Sequence, residues 1–204
     1  DLMGFFFFFW QLMTIPSFFL VRFEHRKAEN VRAATRYLVM MEISCLLVMA
    51  AAWILGGQNG SAAGGLATYD FERLAEGMPE LLRSHGGLVS LALLLFLAGF
   101  GIKAGMWPFG QLWLPDVHPA PSPVSALISG VMIKTGIYGL ARSFLWLVPA
   151  SALDSFPAKP WGFVIALLGT ITLLVDTLQA LKQEETKRLL AFHSIRQVGY
   201  IILG

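Results

Sequence analysis

Apolar residues in this chain come in runs rather than alternating, and six of the runs are near or above the roughly 18 residues that a membrane-crossing helix needs. They predict spans at 2–21, 33–55, 88–108, 123–148, 161–181 and from 189 to the end, numbered here first to sixth. The first contains FFFFFWQLMTIPSFFLV, in which one uncharged amide, Gln11, interrupts a phenylalanine-rich stretch. Between the second and third spans, GGQNGSAAGG predicts a flexible turn. DFERLAEGMPELLRSHGG, which follows, predicts a short amphipathic helix on the membrane surface. The expected fold is all-α, a polytopic membrane helix bundle.

The stretch WPFGQLWLPDVHPAPSPVS, between the third and fourth spans, carries Pro108, Pro115, Pro119, Pro121 and Pro123. A continuous helix is excluded there, because proline removes a backbone donor and clashes with the preceding turn. Non-helical backbone at membrane depth occurs only where protein or a water-lined cavity surrounds it. The third span is therefore expected to break around Pro108, as helices do at many transport sites.

Composition agrees with this reading: 56% of the 204 residues are hydrophobic and only 14% are charged, against about a quarter charged in soluble domains. A formal net charge of +2 gives no reason to expect a nucleic-acid partner. The single cysteine, Cys45, excludes an internal disulfide and a cysteine-built metal or iron–sulfur site. His25, His85, His118 and His193 lie far apart, and no cofactor is expected. The chain starts at Asp1 and stops inside an apolar run, so it is expected to be a segment of a longer protein.

The basic residues cluster in two loops. Residues 22–36 hold Arg22, Arg26, Lys27, Arg32 and Arg36, and residues 182–188 hold Lys182, Lys187 and Arg188. The positive-inside rule assigns both loops to the cytoplasmic side of a cell inner membrane. The four spans between them, an even number, agree with that assignment.

A rise of about 1.5 Å per residue converts position into depth. Lys134, counted from Pro123, lies roughly 16 Å into the membrane; Gln11 and Glu42, counted from Val21 and Ala33, lie roughly 15 and 14 Å in. Lys103 lies roughly 22 Å from the opposite face, close to the proline break. A charge at such depth costs several kcal/mol unless it is paired or wetted. Snorkelling over a lysine stem of about 6 Å serves Lys103 but hardly Lys134. These four residues are the candidate functional groups of the membrane interior, and His193, near the start of the sixth span, fits a headgroup contact or a proton path equally. Gly101 with Gly105, and Ser125 with Ser129, fit close helix packing. Asp176 fits a snorkelling or helix-pairing acid at least as well as a conducting one, and Arg196 lies one turn from His193.

KAGMWPFGQLWLPDVHPAPSPVSALISGVMIKTGIYGLAR resembles the central signature of antiporter-like membrane subunits of respiratory complex I, Mrp cation/proton antiporters and group 4 hydrogenases. QEETKRLLAFHSIRQVGYIILG matches their second signature. AFHSI and EHRKAENVRAATRYLVM look most like the large membrane subunits of hydrogenase-4 and formate hydrogenlyase. The resemblance covers essentially residues 1–204 as one antiporter-like domain. It implies the fifth to tenth of some fourteen helices, built as inverted repeats with broken helices. It implies that Lys103 is the lysine of the broken seventh helix and Lys134 that of the eighth. The family's fifth-helix motif FFxWE has a glutamate where this chain reads FFFFFWQLM, which leaves Gln11 in place of the carboxylate. Glu42, level with Gln11 on an antiparallel hairpin, is the expected substitute.

The function implied is proton translocation within a redox-driven complex, through buried lysines and water. Its partners would be other membrane subunits, a peripheral redox arm, the lipid bilayer, and protons with sodium as an alternative cation. The chain would have no catalytic centre of its own. The alternatives are an Mrp-like cation/proton antiporter subunit and a non-pumping structural subunit of the same complex.

Overall fold

In the computed structural model, described for residues 5–23, 25–62, 69–117, 120–153 and 156–204, helices account for nearly the whole chain and no strand occurs among those residues. Residues 2–4 of the first expected span, residues 63–65 of the glycine-rich turn, His118 and Pro119 lie outside the described residues. The long helices are α1 (Phe5–Val21), α2 (Ala28–Ala62) and α3 (Phe71–Ala104). After the break come a short α4 (Leu114–Val117), then α5 (Ser122–Leu127) and α6 (Ile133–Ala141). α7 (Ala158–Leu181) and α8 (Thr186–Leu203) close the described chain. α5 and α6 form one composite span, Ser122–Trp146, with π-type turns at Ile128–Met132 and Arg142–Trp146.

Among the described residues, four helices are long and apolar enough to cross a membrane: Ala28–Asn59, Phe71–Ala104, Ser122–Trp146 and Ala158–Leu181. α1 is apolar but shorter, and α8 carries Lys187, Arg188, His193 and Arg196 within its 18 residues. The phenylalanine run divides by helical face. Phe7, Trp10 and Thr14 are buried, while Phe8, Phe9, Leu12, Ile15 and Phe19 are exposed, as a lipid-facing side requires.

The region between the second and third spans differs from the sequence expectation. Residues 56–62 continue α2 as helix instead of forming a flexible turn. The expected surface helix is the first half of α3, joined to the rest through a kink at His85 (φ −135°, ψ 41°). Packing overrides the weak helix propensity of the glycines there. Leu74, Met78, Leu81 and Leu82 are buried, and Asn59 Nδ2 donates to the Arg73 carbonyl at 3.0 Å. Asp70 starts α3 by accepting the backbone N–H groups of Glu72 and Arg73.

α3 also ends earlier than the prolines suggest. Its last helical residue is Ala104, and Gly105 takes the left-handed conformation (φ 78°), its N–H bonded back to the carbonyls of Gly101 and Ile102. A glycine suits this position because a side chain would be strained at positive φ. Gly105 is therefore a helix stop, with Leu114, Gly110 and Ile195 packed close to it. Pro123 sits in the first turn of α5, where its missing N–H costs nothing.

Both basic loops lie at the same end of the bundle. Arg36 of α2 forms an ion pair with Asp116 of α4, and Arg188 of α8 reaches the other oxygen of Asp116 at 3.7 Å. The segment after Gly105 thus runs from the break to that end. α6 lies tight against α3: a Cβ on Gly136 would fall 2.8 Å from the Phe100 carbonyl, and one on Gly139 would strike the Phe100 ring.

Candidate functional site

Lys103 is placed by the last turn of α3, two residues before the glycine stop. The side chain is 0% exposed, and Nζ is buried with no hydrogen-bond partner. It does not snorkel. Nζ stands 4.0 Å from the centroid of the Trp10 ring, a cation–π contact to an amine that no hydrogen bond satisfies. Trp10 is held by Phe6 (centroids 5.5 Å apart) and Phe100 (6.1 Å), and Phe96 stacks on Phe100 at 5.7 Å. The phenylalanine-rich opening of α1 thus supplies one aromatic wall for the lysine.

The next residue, Gln11, turns to α2. Its Nε2 donates to Glu42 Oε2 at 3.0 Å and approaches Cys45 Sγ at 3.8 Å, while Oε1 is buried without a partner. Trp10 and Gln11, adjacent on α1, thus link Lys103 of α3 on one side to Glu42 and Cys45 of α2 on the other. Further along the α1–α2 interface toward the basic end, Ser17 Oγ and Tyr37 Oη lie 2.7 Å apart, and Tyr37 Oη meets Met132 Sδ at 2.9 Å.

Lys134 is half-buried on α6, two residues beyond a π-type turn. His193 is in a third place. It lines a cavity of about 360 Å³ at the basic end, with Ser122, Ser125, Ser129, Lys187 and Ser194 among the other lining residues. Ser129 and Ser194 join across it at 2.7 Å, so Ser129 serves a hydrogen-bonded contact between the composite span and α8.

Two parts of the arrangement are not foreseen by the sequence. Trp10 was visible only as the residue before Gln11, because depth along a helix says nothing of the direction a ring faces. Asp176 is fully buried on α7 and receives a hydrogen bond from Gln111 Nε2 at 3.2 Å, which removes the snorkelling alternative. Proximity of Gln111 to Asp176 depends on the path taken after the break, which no local pattern specifies.

A buried lysine at a glycine-stopped helix break, inside an all-α bundle of membrane-crossing length, defines a polytopic membrane domain as a class. The whole chain, residues 1–204, matches the family described as NADH:quinone oxidoreductase/Mrp antiporter, transmembrane, and belongs to it. Hydrogenase-4 component B of Escherichia coli K12 is 35% identical over 195 residues, covering 95% of this chain and 26% of that protein. NADH-quinone oxidoreductase subunit M of the same organism is 31% identical, covering 98% of this chain and 38% of that subunit. Among solved structures, a chain of the Mrp complex from Dietzia sp. DQ12-45-1b superposes with a TM-score of 0.75 at 25% identity, over 97% of this chain and 34% of that one. The chain thus spans between about a quarter and two-fifths of the relatives it matches.

Proposed function

We propose that this chain is the proton-translocating core of an antiporter-like membrane subunit, serving a redox-driven complex of the hydrogenase-4 or formate hydrogenlyase type. It would contribute the fifth to tenth helices of that subunit, with loops 22–36 and 182–188 in the cytoplasm. Redox chemistry would occur in partner subunits of a peripheral arm, and the protons would pass through Lys103, Lys134 and water between them. The identity to hydrogenase-4 component B supports the choice of complex.

The observation that carries the reading is the environment of Lys103: a fully buried amine with no hydrogen-bond partner, faced by the Trp10 ring, whose neighbour Gln11 binds Glu42. An amine held that way has no hydrogen-bonding group that fixes its proton in place, which suits a group that passes a proton to and from water. Glu42 supplies the negative charge that Gln11 lacks, and Gln11 holds its carboxylate. This arrangement favours pumping over the non-pumping structural reading that Gln11 alone suggests.

The test is proton uptake by the full-length complex in liposomes, per turnover of the redox substrate. Lys103→Ala is expected to reduce it to the passive leak while the subunits still co-purify. Unchanged uptake would remove Lys103 from the path.

A further inference from the structure

Asp176 takes no part in the cluster around Lys103, yet it is the most completely buried acid among the described residues. It lies on α7, where the backbone leaving the α3 break passes. Trp107 N–H donates to Thr172 Oγ1 at 3.1 Å, one helical turn before Asp176. Gln111 Nε2 donates to Asp176 Oδ1 at 3.2 Å, and Gln179 Nε2 donates to Gln111 Oε1 at 3.2 Å. The other carboxyl oxygen, Oδ2, is buried with no partner.

A stitch between the loop and α7 does not call for a carboxyl. Asparagine would accept the same bond from Gln111 and avoid the several kcal/mol that a charge costs in a membrane span. Buried ionisable groups inside membranes are by default part of an ion path for that reason. Among the described residues no cation forms an ion pair with Asp176. α8, which packs against α7, brings His193 and Arg196, and neither forms an ion pair with Asp176; Arg196 instead faces the Tyr200 ring at 6.0 Å. The segment after the break brings the neutral Gln111.

We propose that Asp176 is a proton-carrying carboxyl of the translocation path, held at the α3 break by Gln111 with Oδ2 left to take and release the proton. The step is a transfer between oxygens: the O–H bond of a water-borne donor breaks as the Oδ2–H bond forms, and release runs in reverse without electron movement. Asp176 lies about 9 Å from Lys182 by helical rise, on the side of the basic loops. It would thus be loaded from that side, and the file Gln179–Gln111–Asp176 marks the polar approach. This inference rests on the proton-translocating reading proposed above.

The experiment is proton uptake by the full-length complex in liposomes, followed with a pH-sensitive dye in sodium-free and sodium-containing buffer. It compares wild type, Asp176→Asn, Asp176→Glu and Lys103→Ala. The expected result is at least about a tenfold loss in Asp176→Asn, equivalent to about 1.4 kcal/mol, with uptake retained in Asp176→Glu. Asparagine keeps the bond from Gln111, so a merely structural role would leave Asp176→Asn at the wild-type rate. That outcome, together with a loss in Lys103→Ala, overturns this inference alone. Wild-type rates in both Asp176→Asn and Lys103→Ala overturn the underlying reading as well. Uptake of radioactive sodium by wild type, abolished in Asp176→Asn, would make the site a sodium site and overturn the assignment to a proton.

Discussion

The two lysines of the long central signature end up in different surroundings. Lys103 is sealed in by α1, α2 and α3 with an indole ring over its amine, whereas Lys134 is half-buried on the composite span with no partner among the described residues. Depth alone ranks them the other way, because Lys134 is nearer the middle of the membrane and Lys103 nearer an interface. Depth fixes the distance to the headgroups, but the cost of a charge depends on what lies around it in the plane. The helix stop at Gly105 makes the difference: it turns the chain inward and buries the last turn of α3 under the segment that follows.

This comparison can be broken by substitution. The largest expected effect is at Lys103. Lys103→Arg should stop proton uptake as completely as alanine, since a guanidinium does not release its proton; an arginine variant that pumps would show that only a fixed charge is needed. Lys134→Ala should lower uptake only several-fold, because its half-buried position lets water serve in its place. Equal losses at the two lysines would erase the distinction drawn here.

Smaller effects sharpen the picture of the wall around Lys103. Gly136→Leu should cost about 1–3 kcal/mol through overpacking against Phe100, read as a lower unfolding temperature of the purified complex. Trp10→Leu should cost about 1 kcal/mol of stabilisation of the ammonium, read as a modest fall in uptake rate. A loss as large as that of Lys103→Ala would give Trp10 a role beyond the cation–π contact.

Much of the fold is legible in the sequence because membrane helices are defined by composition over a long window. Each predicted span overlaps one observed helix or the composite Ser122–Trp146. The misplaced parts are those where contact outweighs propensity. Residues 56–62 remain helical because α3 packs beside them, and the break falls at Gly105 because a left-handed cap ends a helix before the prolines do. Within the site, the level placement of Gln11 and Glu42 follows from counting along a hairpin, and the two are hydrogen-bonded. Trp10 over Lys103 depends on rotation about the α1 axis, and Gln111 on Asp176 on the course of an irregular segment. Neither is encoded by a period or a spacing.

The central claim is that Glu42, positioned by Gln11, provides the carboxylate that this domain needs beside Lys103. The direct test moves the charge. Proton uptake per redox turnover is measured in liposomes for the complex carrying Glu42→Gln and for the same complex with Gln11→Glu added. The account predicts about a tenfold loss in the single variant, the equivalent of about 1.4 kcal/mol, and recovery in the double variant. Normal uptake by Glu42→Gln alone would contradict it.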